Sequence, residues 1–101
     1  MAQILIEREH QLGLAQARLT AARWVEEAEQ TFDMRCTYQQ GETGDSVSFS
    51  RPGLSGTLEV NGEAFRLQAQ LGFLLSAFKE RIEAEVQKNL DALIAAHQAQ
   101  A

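Results

Sequence analysis

Between Met34 and Leu71 apolar residues recur at every second position, and on either side of that block they recur at every third or fourth. Successive side chains on a strand point to opposite faces, whereas neighbours on one helix face lie three or four residues apart. The chain therefore has to fold as a sheet that is dry on one face, bracketed in sequence by two amphipathic helices. In the alternating block, Met34, Cys36 and Tyr38 alternate with Arg35, Thr37 and Gln39, and Val47 and Phe49 alternate with serines. Leu58 and Val60 follow, then Phe65, Leu67, Ala69 and Leu71. Breaks fall at Gln40–Asp45 and at Arg51–Gly53, where glycine and proline accumulate.

Asn61–Gly62 is a two-residue hairpin signal. With Val60 opposite Glu63, the expected register sets Leu58 against Phe65 and Gly56 against Leu67. Directly opposed residues share a face. The apolar residues of both strands then fall on one side, with Thr57, Glu59 and Arg66 on the other.

The first helical block follows Gly13. Leu14, Ala17, Ala21, Trp24 and Ala28 form its stripe, Val25 and Phe32 widen it, and Arg18, Arg23, Glu26, Glu27 and Gln30 fall elsewhere. This predicts a helix of about five turns. Asp33 is expected to end it, since Asp tolerates the left-handed conformation. The second block starts at about Phe73. Leu75, Phe78, Ile82, Val86 and Leu93 form the stripe, widened by Leu74, Leu90 and Ile94, and the helix is expected to run unbroken. Lys79–Glu83 and Arg81–Glu85 are spaced for weak ion pairs. Residues 96–101 are expected to fray. A short strand is expected at Ile4–Glu7. The reading is a single α+β domain over 1–101, ordered β-α-β-β-β-β-α. Its sheet is mainly antiparallel, with one face covered by two amphipathic helices.

Composition narrows the function. The formal net charge is −5 and the nine Lys and Arg form no basic run. Nucleic acid and anionic membranes both need a clustered cationic face, so neither is an expected partner. One cysteine allows no internal disulfide. The apolar run in MAQILIEREH is too short for a signal peptide, and no segment reaches the ~20 apolar residues of a spanning helix. A cytoplasmic protein is the expectation.

No catalytic set stands out. Cys36, on the inward face of a strand, reads as a small core residue, because no histidine or cationic setting accompanies it. His10 reads as a surface or capping histidine, and His97 lies in the expected tail, so no metal site is indicated. Glu26, Glu27 and Glu29 read as a solvated helix face. RPGLSG at 51–56 lacks the Gly-Lys-Ser/Thr of a phosphate loop and is flanked by strands on both sides. No enzyme activity, cofactor or metal is expected. Two apolar features remain open. Trp24, Phe73, Leu74 and Phe78 are core residues or a hydrophobic contact surface. The small residues Gly56 and Ala69, with Leu58, Phe65 and Leu67, either let a helix pack closely or line a cavity.

Three blocks taken together resemble a known family: IEREHQLGLAQAR near the start, FSRPGLSGTLEV in the middle and LGFLLSAFKERIEAEVQKNLDAL at the end. They are similar to the small bacterial polyhydroxyalkanoic acid system proteins over nearly the whole chain. Glu80–Arg81 follow Lys79 where the family often has Gly-Pro, and Gln39–Asp45 is longer than usual. The resemblance implies an accessory role in polyester storage, binding the granule surface or a granule protein, and it implies no reaction. The sheet with its long C-terminal helix also resembles a reduced helix-grip lipid-binding domain. The alternatives are a binder of small acyl or lipid ligands and a structural homodimer.

Overall fold

The computed structural model describes residues 2–100, with side chains described through residue 97. The elements are β1 (Ala2–Glu9), α1 (Gly13–Thr31), β2 (Arg35–Gln39), β3 (Gly44–Arg51), β4 (Leu54–Asn61), β5 (Ala64–Leu71), α2 (Phe73–Ser76) and α3 (Lys79–Gln100). The five strands form one sheet in the order β1-β5-β4-β3-β2, and every neighbouring pair is antiparallel. This is the expected α+β architecture. β1 and β2 lie at opposite edges, so α1, which joins them, must cross the sheet. It does so over the dry face, against β4, β3 and β2.

The registers align apolar side chains in rows across strands. Val47, Leu58, Leu67 and Ile6 form one row, and Phe49, Gly56, Ala69 and Ile4 form the next. All the side chains in these rows except Gly56 are buried. Ala17, Ala21 and Ala28 bring α1 close to them, and Trp24 fills the remaining space with its ring edge-on to Phe49 at 5.2 Å.

The β4–β5 hairpin differs from its expected register by two residues. Val60 opposes Phe65, Leu58 opposes Leu67 and Gly56 opposes Ala69. Gly62 and Glu63 make the turn, and the Asn61 side chain accepts the N–H of Glu63 and of Ala64, each at 2.8 Å. Asn61 thus closes the turn from outside it. A shift of two preserves every face, so the dry side holds the expected residues. The β3–β4 turn places Pro52 and Gly53 between Arg51 and Leu54, with Gly53 at φ 85°, as the third position of a type II turn requires. Asp33 ends α1 at φ 55°, as its type suggests.

The last helical block is broken, not continuous. Phe78 N–H bonds Leu75 C=O, and the Phe78 carbonyl then starts α3 by accepting from Ile82. Gly72 N–H is held by Gly53 C=O at 2.8 Å, and Leu75 lies against Gly53, which fixes α2 at the end of β5. α3 packs instead on α1 and β1 through Leu90, Leu93 and Ile94. The chain bends at Ala77 to serve both contacts. α3 continues as helix through Gln100, so the expected tail is helical to that residue, and Ala101 lies outside the described residues. Neither Lys79–Glu83 nor Arg81–Glu85 forms an ion pair among the described residues. Such exposed pairs gain only tenths of a kcal/mol. Arg8 of β1 pairs with Asp91 of the helix at 2.9 Å.

Two polar groups are buried at one end of the sheet. Gly44 and Asp45 belong to β3, and the Asp45 side chain is fully buried. Its oxygens accept from Arg18 on α1 at 3.0 and 3.2 Å, from Gly41 N–H at 3.0 Å, and from the Tyr38 hydroxyl. Burial by itself would raise the Asp45 pKa, but the bonds from Arg18, Tyr38 and Gly41 outweigh it and hold the carboxyl below its ordinary value. Burial and the hydrogen bond to Asp45 push the Tyr38 hydroxyl pKa far up. Replacing Asp45 with Ala strands Arg18, Tyr38 and the Gly41 N–H together. Urea denaturation should show a loss of about 2–3 kcal/mol, several times that of an exposed Glu26→Ala control.

His10 is also buried, not on the surface. Its ring packs against Phe65 at 4.6 Å, tilted by 39°, and its Nδ1 accepts the N–H of Leu12, the residue before α1. Nε2 has no hydrogen bond of ordinary geometry among the described residues. Burial pulls the His10 pKa below its usual 6.5, against the backbone groups of Asn61 and Ala64, which favour the charged form. The unfolded chain therefore takes up this proton at higher pH than the folded one. His10's contribution to stability is complete above pH 6.5 and declines as the pH falls towards the folded-state pKa. Urea midpoints measured from pH 7.5 to 5.5 should fall in the parent protein, and fall less in His10→Gln.

Candidate functional site

The same bend that separates α2 from α3 opens a cleft. α1 lies close to the sheet along its length, whereas the first half of α3 is anchored only by half-buried Ile82 and Val86. Between them is an apolar cleft of about 390 Å³, a size at the lower end of small-ligand sites. Ile4, Leu67 and Ala69 form its floor. Trp24, Ala28 and Phe32 make one wall, and Leu75, Phe78, Ile82 and Val86 the other.

Its few polar residues are arranged along the rim. Asn89 of α3 donates to Glu27 of α1 at 2.8 Å, and Arg23 stands 3.8 Å from the other oxygen of Glu27. These contacts close one end of the gap between the helices. Arg51, opposite Leu54 in the sheet, donates to the Phe32 carbonyl at 2.9 Å. Arg81 and Glu85 line the cleft from α3.

The expected site residues divide among three places. Trp24, Leu67 and Ala69 line the cleft, and so does Phe78, which is 53% exposed. Phe73 and Leu74 do not line it. They stand outward on α2 beside it, 84% and 80% exposed. Gly56, Leu58 and Phe65 do not line it either. Leu58 and Phe65 are completely buried core residues, the latter packed against His10. A Cβ at Gly56 would stand 2.2 Å from the Gln68 carbonyl oxygen of β5, 2.6 Å from Phe49 Cζ and 2.9 Å from Ala69 Cα. Glycine there serves packing and leaves no hollow.

Arg51, Arg81 and Asn89 went unnoticed in the sequence. For Arg51 a signal existed, because its position two residues beyond Phe49 continues the alternation onto the dry face. The same parity, Asp45–Val47–Phe49, marks Asp45 as inward. Its place beside Gly44 in a turn-like stretch concealed this.

The site offers hydrophobic contact and hydrogen-bond donors. Burial, then Glu29, raise the Cys36 thiol pKa, which disfavours the thiolate. Among the described residues no three His, Cys, Asp or Glu side chains group to hold a metal. No helix among them is long and apolar enough to cross a membrane. Gly56→Ala should cost about 3 kcal/mol or more in urea denaturation, because the added methyl meets the β5 backbone at Gln68 and Ala69 as well as Phe49, and the altered Phe49 contact should change Trp24 fluorescence.

Residues 4–94 match the family model described as "Putative polyhydroxyalkanoic acid system protein", and the chain belongs to that family. No curated protein matches the chain.

Proposed function

We propose that this member of the polyhydroxyalkanoic acid system family is a non-enzymatic accessory protein of polyester storage, and that it attaches to the granule surface through α2. The observation that carries the reading is the exposure of Phe73 and Leu74, at 84% and 80%, on a single helical turn beside half-exposed Phe78. Large apolar side chains clustered in the open mark contact surfaces. The turn is held rigidly by Gly72–Gly53 pairing and by Leu75, so little ordering is needed when it docks.

The charge of the chain favours polyester over lipid. A net charge of −5 opposes an anionic bilayer. A storage polyester is neutral, and contact with it needs apolar area alone. Burying a Phe or Leu side chain contributes about 1.5–3 kcal/mol each. The location that follows is the cytoplasm, at the granule.

Purified protein should pellet with native polyester granules and stay in solution with phospholipid vesicles. The double variant Phe73→Ser/Leu74→Ser should lose granule binding by tenfold or more, with an unchanged urea midpoint because both side chains are exposed. Equal pelleting of parent and variant would rule out α2 as the contact.

A further inference from the structure

We propose that the cleft between α1 and α3 binds one aliphatic monocarboxylate of medium chain length, with its alkyl chain against Trp24 and Ala69 and its carboxylate at Arg51 and Arg81. This goes beyond granule attachment, because Phe73 and Leu74 lie outside the cleft.

The walls call for an alkyl chain. They are aliphatic and aromatic, and the floor is buried sheet. From Arg81 to Asn89, α3 runs about 12 Å along the cleft at 1.5 Å per residue. That length suits an extended alkyl chain of medium length.

The rim calls for an anion at one end. Arg8, Arg18, Arg23 and Arg66 each stand within ion-pair distance of a carboxylate. Arg35, Arg51, Lys79, Arg81 and Lys88 make no ion pair among the described residues, and of these Arg51 and Arg81 line this cleft. Arg51 uses one N–H on the Phe32 carbonyl, and a guanidinium has five N–H donors. An arginine fork matches a carboxylate in two-point geometry. Of the carboxylates of the cleft, Glu27 lies at the Asn89 end and Glu85 stands midway between Arg81 and Asn89 on α3. Glu27 is already held by Asn89 and Arg23, and Glu85 sits one turn along α3 from Arg81. A ligand would therefore enter with its carboxylate at the Arg51–Arg81 end.

Trp24 is the only tryptophan and lines the cleft, so its emission reports occupancy directly. Decanoate, titrated below its micelle concentration, should shift that emission and bind one to one by calorimetry. Each methylene should change affinity by about fourfold, so octanoate should bind roughly fifteenfold more weakly. Decanol, of equal length but uncharged, should bind at least tenfold more weakly than decanoate. Arg81→Gln, a change at an exposed position, should bring decanoate down to the level of decanol and leave decanol unchanged. Arg51→Gln should do the same in part.

Phe73→Ser/Leu74→Ser should bind decanoate as the parent does, whether or not it pellets with granules, which separates this proposal from the granule reading. Absence of saturable decanoate binding would overturn the proposal, and so would decanol binding as tightly as decanoate. A dimer in light scattering that buries Trp24 and excludes decanoate would assign the cleft to a second copy and also overturn it.

Discussion

A sheet with one dry face cannot be left uncovered, and this chain has two helices, drawn from opposite ends of the sequence, with which to cover it. The consequences of that constraint account for most of the structure. α1 is rich in alanine on its inner side and lies close over β4, β3 and β2. α3 carries larger residues, and its second half is buried at Leu90, Leu93 and Ile94 while Ile82 and Val86 in its first half are only half-buried. The two helices therefore meet along part of their length and diverge along the rest. The cleft is the region of divergence.

Polar contacts fix where each helix lies. Asp45 holds Arg18 of α1 and, through Gly41, the loop before β3. His10 Nδ1 holds the N–H of Leu12, the residue before α1, while His10 N–H is itself held by Glu63 of the β4–β5 hairpin at 2.8 Å. Arg8 on β1 reaches Asp91 on α3, and Asn89 reaches Glu27 on α1. Hydrophobic burial is non-directional, so it sets that the helices lie on the sheet without setting where. Buried Asp45 and His10 add position, because leaving either unpaired would be costly, and the exposed Arg8–Asp91 pair adds little.

The most exposed apolar side chains gather beside the cleft, while Leu5 on β1 and Leu19 on α1 stand exposed elsewhere. Phe73 and Leu74 on α2, Phe78 at the bend and the open cleft under α3 adjoin one another. The interruption between α2 and α3 lies among them. A continuous helix would direct Leu75, Phe78, Ile82 and Val86 along a single seam and would leave neither the exposed turn nor the gap.

The sequence by itself determined which residues face inward. Alternation from Met34 to Leu71 and the three-to-four spacing of the flanking blocks depend on local backbone geometry alone, and the α+β order and strand faces follow from them. Asp33 was likewise legible as a helix end. Even the two-residue displacement of the β4–β5 register left every face unchanged, because parity survives a shift of two. Tertiary structure alone decided what depends on three-dimensional distance. Gly56 left close packing and a cavity equally open in the alternation, and the Gln68 carbonyl and the Phe49 ring, both from neighbouring strands, occupy the space. His10 and Asp45 looked like loop residues until packing buried them. The break at Ala77 has no proline or glycine of its own to announce it. It arises because Leu75 must meet Gly53 while Leu90 and Ile94 must meet β1 and α1, and one straight helix cannot satisfy contacts set by such separate parts of the sheet.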